Sequence, residues 1–322
     1  MGFISRQIDK MYKGVLFRRH DPDGSIFYFS ADDFPELSSE EFSFVSKRGH
    51  KLYGSFYYYE KPKANRLIIF EHGMGNGHGS YFCEIERLAR AGYLVYSYDH
   101  TGCNRSEGEH IYGLSGSLSD LDDCIKALVN ERGFLKSQIS IVGHSWGGFS
   151  TLNILSLHQE IRSIVAVSGF ISIPVMQREA VPSIFYPFLP RLFRLEQQTN
   201  PVFSDSSAVS VLSSTDRPVL VIHSTDDGTV SYKSNFSVLE SALKGKENID
   251  FLTVSGSGHN PFFTRDAFKY KEAFFKDLKK MRGRKKLVTD DQKAEFVSRY
   301  DWSRMTAQNE DVWSKIIDFL EK

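Results

Sequence analysis

Gly143-His144-Ser145-Trp146-Gly147 sits between the apolar run ISIV and the apolar segment that opens at Phe149. A serine with glycine two residues away on either side marks a tight strand-to-helix turn, because larger neighbours would collide across it. Gly148 adds room for the following helix to pack. Such a turn strains the serine backbone and leaves its hydroxyl at the C-terminal edge of a sheet, where open α/β sheets place ligands. The helix behind it contributes free N–H groups and the positive end of its dipole. A serine hydroxyl is a poor nucleophile at neutral pH, so chemistry at Ser145 needs a base and a group to orient that base. His259, in SGSGHNPF (255–262), follows the last predicted strand, and Asp226 and Asp227, in VIHSTDDGTV (221–230), follow the strand before it. Ser, then Asp, then His is a chain order in which nucleophile, orienting acid and base occur together.

These groups meet only if strand ends converge on one edge. Glu41 to Ser46 and Lys51 to Glu60 flank Arg48-Gly49 and predict a β-hairpin. RLIIFEHG (66–73), YLVYSYD (93–99), ISIVGHS (139–145), IRSIVAVSG (161–169), RPVLVIHS (217–224) and IDFLTVSG (249–256) predict strands, with helical segments such as YFCEIERLARAG and SLSDLDDCIKALVNERG between them. That alternation predicts a mostly parallel central sheet flanked by helices. Residues 171–216 exceed a simple crossover and carry the aromatic stretch SIFYPFLPRLFRL, punctuated by Pro187 and Pro190. At 269–287 nine Lys or Arg stand against two acids, the composition of a solvated helix end. The last residues, with Trp302, Trp313 and IIDFL, predict a terminal helix docked by its apolar face.

The chain resembles the α/β-hydrolases of the serine-hydrolase type with an inserted lid, similar to monoacylglycerol-lipase-like esterases and serine aminopeptidases. The resemblance runs from about residue 40 to 280. It implies an N-terminal extension at 1–40, an α/β-hydrolase core at 41–170 and 217–322, and a lid at 171–216. In that family the acid sits in a G-x-x-D-x-x-V stretch; Ser224-Thr225-Asp226-Asp227-Gly228-Thr229-Val230 fits it with Asp227 as the acid, although Ser224 replaces the usual glycine. The implied triad is Ser145, Asp227 and His259. The resemblance also implies an oxyanion hole from the backbone N–H groups of Trp146 and of Met74, which follows His72-Gly73. Two such donors are each worth roughly 3 kcal/mol of barrier in enzymes of this type. Their side chains are then free to wall an acyl pocket. The segment from Asp99 to Gly108 resembles the family's D-x-x-G-x-G-x-S loop, with Asn104 in place of the second glycine, and is structural there.

What this implies is ester hydrolysis through an acyl-enzyme, with short to medium acyl chains or a monoacylglycerol as substrate. Phe185, Tyr186 and Phe188 in the lid sequence would line the site. An aminopeptidase is the alternative and would need a lid carboxylate for the substrate amine, for which Glu179, Glu196 and Asp205 are available. A thioesterase or acyltransferase would use the same triad, and a non-catalytic binding protein on this scaffold is the remaining option. No metal or organic cofactor is required. Gly73, Gly75, Gly77 and Gly79 imitate a dinucleotide-binding turn, but G-x-G-x-x-G needs glycine where His78 or Ser80 stands. His72, His78 and His100 lack metal-ligand spacing.

Composition trims the remaining classes. Forty basic residues balance forty acidic ones, so no phosphate-neutralising surplus points to nucleic acid. Cys83, Cys103 and Cys124 are too scattered for a disulfide framework and suit a reducing, cytoplasmic compartment. Gly2 invites an acylation reading, but Arg6 stands where that signal needs Ser or Thr. No apolar run is long enough to insert stably in a bilayer, which leaves peripheral contact through the basic run near residue 280 as the membrane option.

Overall fold

The computed structural model of the protein describes residues 3–21, 26–75 and 77–322, with side chains described from residue 6 onward. Gly2 lies outside the described residues. Eight strands form one sheet: β1 (Leu37–Val45), β2 (Lys51–Tyr59), β3 (Leu67–Glu71), β4 (Leu94–Tyr98), β5 (Ile139–His144), β6 (Ser163–Val167), β7 (Val219–Ser224) and β8 (Ile249–Val254). Their order is β1-β2-β4-β3-β5-β6-β7-β8. β2 runs antiparallel to both neighbours, and every other pairing is parallel. β1 begins at Leu37, so the sheet takes in the end of the segment set apart above as an extension. The hairpin turns at Gly49, whose φ of 82° is a left-handed conformation that glycine adopts without a Cβ penalty.

Helices α1 (Phe3–Leu16), α2 (Phe82–Arg90), α3 (Gly116–Arg132) and α4 (Trp146–Asn153) precede β6. Then come α5 (Ile173–Ala180), α6 (Leu189–Thr199), α7 (Ala208–Ser214), α8 (Phe236–Ala242), α9 (Arg265–Gly283), α10 (Asp290–Val297), α11 (Trp302–Met305) and α12 (Glu310–Glu321). Strand residues alternate between the two faces of the sheet, as the pleat requires. Ile69, Ile141, Ile164 and Ala166 join one apolar cluster with α1, α3, α4, α7 and α8. Phe70, Val142, Val165 and Val167 join the other with α2 and α12. Strands buried on both faces explain why β3 and β5–β7 read as continuous apolar runs. Phe27, Phe274, Leu278, Phe296 and Met305 form a third cluster, in which Phe27 stacks on Trp302 at 5.9 Å, so the two flanking segments meet each other.

The segment between β6 and β7 carries α5, a 3-10 stretch at Ser183–Phe188, α6 and α7. It is anchored to α1. Gln177 Nε2 donates to Tyr12 Oη at 2.6 Å, and Tyr12 Oη donates to Glu196 Oε1 at 2.7 Å. Among the described residues no helix is long and apolar enough to cross a membrane.

Candidate active site

Ser145 occupies the turn between β5 and α4 with φ 56° and ψ −112°. A non-glycine residue there carries strain of about 1–3 kcal/mol, held in place by its surroundings. The glycines explain why no other residue fits. A Cβ on Gly143 would stand 2.2 Å from Thr151 Oγ1 and 2.4 Å from the Gly147 carbonyl oxygen, and one on Gly147 would stand 2.2 Å from the Glu71 carbonyl oxygen. Gly148 faces Gly169 Cα at 2.8 Å from the same notional atom, where α4 crosses the end of β6. Ser145 N donates to the Val167 carbonyl, and Phe149 N to the Ser145 carbonyl, fixing both sides of the turn.

The loops after β7 and β8 converge on this serine. His259 Nε2 lies 2.8 Å from Ser145 Oγ, and His259 Nδ1 lies 2.8 Å from Asp227 Oδ2. Asp227 Oδ1 accepts from Thr229 N at 2.8 Å and Val230 N at 2.9 Å, and His223 Nε2 stands 3.2 Å from Oδ2. Burial alone would raise the Asp227 carboxyl; hydrogen bonds from His223 and His259, the His259 charge and the Val230 N–H outweigh it and hold the group well below the usual carboxylate range. Asp226 does a different job. Exposed on the loop, it accepts from Ser224 Oγ and from Gly256 N at 2.8 Å, bracing the loop that carries His259. Ser224, where the family pattern has glycine, thus ties Asp226 rather than the base.

A second layer, which the sequence reading missed, fixes His259 from behind. His144 Nε2 donates to the His259 carbonyl at 2.7 Å, and Tyr81 Oη donates to His144 Nδ1 at 3.0 Å. Burial, then the neighbouring His259 charge, pushes His144 down to about 3, so it stays a neutral spacer. Nothing local marks Tyr81. The only hint is the histidine inside the glycine-serine-glycine turn.

Gly73 brings the β3 loop against the serine: a Cβ there would stand 3.3 Å from Ser145 Cβ and 2.3 Å from Tyr81 Oη. His72 donates from Nδ1 to the Gly73 carbonyl at 2.7 Å and accepts the His100 N–H at Nε2, which orients the peptide leading to Met74. Met74 is half-buried and packs against the first apolar cluster. Trp146 corrects an expectation. Its indole is buried, donates to the Leu114 carbonyl at 2.6 Å and packs on His100, so it props the turn and walls no pocket.

Below the turn, His100 lies 3.4 Å from both Glu71 and Asp120, all three buried. Burial pushes Glu71 up to about 7 against the pull of His100; burial also opposes charge on His100, but Glu71 and Asp120 prevail and raise it. Asp99 accepts from His78 N at 2.9 Å, His78 Nδ1 at 2.7 Å and Asn104 Nδ2 at 2.8 Å, tying the glycine-rich loop to the 99–108 loop. Gly77 leaves room for that carboxylate, since a Cβ there would stand 2.3 Å from Asp99 Oδ1.

Phe185 and Phe188 pack on the same apolar cluster as Met74, whereas Tyr186 is covered by the Arg178 guanidinium. The carboxylates considered for a substrate amine are engaged elsewhere. Glu179 accepts from Ser231 N and Asn235 Nδ2, Glu196 is fully buried and accepts from Leu114 N and Tyr12 Oη, and Asp205 accepts from Gln197.

The family described as "Serine aminopeptidase, S33" matches residues 62–209, from just before β3 into the β6–β7 insertion. An esterase of Pyrococcus furiosus superposes with a TM-score of 0.58 at 19% identity, covering 80% of this chain and 95% of that one. The chain has the α/β-hydrolase fold. Among curated relatives, the chain is 29% identical over 128 residues to a "Monoglyceride lipase homolog" of monkeypox virus, covering 38% of this chain and 42% of that protein. It is 24% identical over 229 residues to mouse "Alpha/beta hydrolase domain-containing protein 17C", covering 70% and 64%. The matched stretches thus span less than two thirds of either relative's length.

Proposed function

We propose that this α/β-hydrolase cleaves carboxylic esters through an acyl-enzyme on Ser145. The observation that carries the reading is the unbroken line Ser145 Oγ, His259, Asp227, at 2.8 Å for each contact. Ser145 Oγ attacks the ester carbonyl while His259 Nε2 takes its proton and Asp227 holds the Nδ1–H. The Met74 and Trp146 N–H groups hold the developing oxyanion. When the tetrahedral intermediate collapses, the bond to the alcohol oxygen breaks and His259 returns the proton to it. Water, deprotonated by the same His259, then attacks the acyl group, and the acid leaves as Oγ regains a proton. Residues 171–216 act as the lid, with Phe185 and Phe188 on its inner side. The engaged carboxylates of that segment favour an ester over a peptide amine, in keeping with the lipase name of one relative. Free, buried cysteines suit a reducing compartment such as the cytoplasm.

The test is fluorophosphonate labelling of the protein beside Ser145→Ala, followed by an ester panel of increasing acyl length. Ser145-dependent labelling with ester turnover is the expected result; turnover that survives Ser145→Ala would overturn the mechanism.

A further inference from the structure

Beside Met74 opens a cavity of about 560 Å³ whose walls come from the N-terminal segment, the loop before α2 and α9. Phe27 arrives from the N-terminal segment, Phe268, Lys271 and Phe275 from α9, and Ser80 and Tyr81 from the loop before α2. Asn260, next to His259, closes the side nearest the base. Four of the ten lining residues are aromatic and one is a cation. Lys271 Nζ stands 3.2 Å from the centre of the Phe263 ring and 4.3 Å from that of Phe27. Ring faces stabilise an ammonium but accept no conventional hydrogen bond. Among the described residues Lys271 enters no salt bridge, and Ser80 Oγ is buried without a hydrogen-bond partner. Burial pushes Lys271 down to about 8 and Glu84 up to about 7, while the charge of each opposes the shift of the other, so the buried Glu84 is the counter-charge of the ammonium. Glu272, the other acid of the cavity, is exposed to solvent.

An ammonium held over ring faces and a hydroxyl without a hydrogen-bond partner, on the wall of a largely apolar cavity, form a site for an amphipathic anion. We propose that Lys271 selects esters whose leaving alcohol or phenol carries a carboxylate or phosphate. The inference rests on the serine-hydrolase reading above. The side is set by adjacency: Met74 and Asn260 line the cavity, Asn260 follows His259 in the chain, and His259 must deliver a proton to the departing oxygen. The aromatic walls take the apolar body of the leaving group, and Lys271 with Ser80 takes its anionic end.

The experiment uses two matched esters, 4-butanoyloxybenzoate and neutral 4-butanoyloxybenzamide, with the wild type, Ser145→Ala, Lys271→Met and Lys271→Gln. The wild type is expected to prefer the benzoate in kcat/KM by about tenfold or more, the scale of one desolvated cation–anion contact. Lys271→Met should remove the preference while leaving the benzamide ester within about threefold of wild type. Equal turnover of both esters by the wild type, or a preference that survives in a folded Lys271 variant, overturns the role of Lys271 and leaves the hydrolase reading intact. Absence of Ser145-dependent turnover of both esters overturns the two together. The wild-type ratio decides even where a variant fails to fold.

Discussion

Asp227→Asn changes one atom and should nearly silence the enzyme. Oδ1 of Asp227 faces two N–H donors, Thr229 at 2.8 Å and Val230 at 2.9 Å, so an asparagine must place its carbonyl oxygen there. Its NH2 then replaces Oδ2, 2.8 Å from His259 Nδ1. Two donors cannot face each other. The imidazole therefore shifts its proton to Nε2, which turns the atom beside Ser145 Oγ from a proton acceptor into a donor. The base is lost without moving a heavy atom, and the wrong-tautomer case in serine proteases sets the scale at about 10⁴ in kcat, some 5.5 kcal/mol of barrier. Asp226→Asn is the control. Its Oδ1 can go on accepting from Gly256 N, and only the weaker 3.4 Å contact to Gly258 N is lost, so kcat should stay within about threefold. The assay is pre-steady-state release of p-nitrophenol from a butyrate ester, which isolates acylation. An Asp227→Asn enzyme retaining more than about a tenth of wild-type acylation, or an equal loss in Asp226→Asn, would refute the reasoning.

Gly147→Ala should destabilise the fold by about 2–3 kcal/mol or more, because its Cβ would stand 2.2 Å from a backbone oxygen of β3; Gly228→Ala, with nothing within 4 Å, should change the melting temperature little. Acid should expose the Asp227 pairing. Its folded carboxyl lies below the unfolded value, so the stabilisation is complete above about pH 4 and is lost as the pH falls further. Urea midpoints measured between about pH 5 and pH 2 should fall less steeply in Asp227→Asn than in wild type; identical slopes would contradict this.

The parts of the site that sequence makes legible are those whose chemistry is local. Glycines that must be small, an apolar run buried on two faces and a histidine after the last strand each follow from neighbours in the chain. Choosing between Asp226 and Asp227 is harder, since adjacent residues in a loop can both point inward and only the position of His259 separates them. Trp146 reads as a wall because it follows the nucleophile, yet its indole turns toward His100 and Leu114, partners far away in sequence. Glu196 reads as a free lid acid, and its engagement with Tyr12 crosses 184 positions. Tyr81, His144 and Lys271 escape for the same reason. Their surroundings exist only once separate segments meet.

The stacking of Phe27 on Trp302 also bears on how the chain comes into being. Trp302 follows Phe27 by about 275 positions, so during synthesis at roughly 5–20 residues per second the N-terminal aromatics wait on the order of 15–55 s for their partner. The face of α1 that meets Glu196 is covered once residue 196 has emerged, whereas Phe27, with Phe29 beside it, lacks its stacking partner until the end, which makes this segment a natural client for a chaperone at the ribosome. The cavity wall is then among the last surfaces to close, and a nascent chain carrying a finished Ser145 turn would still lack a finished site.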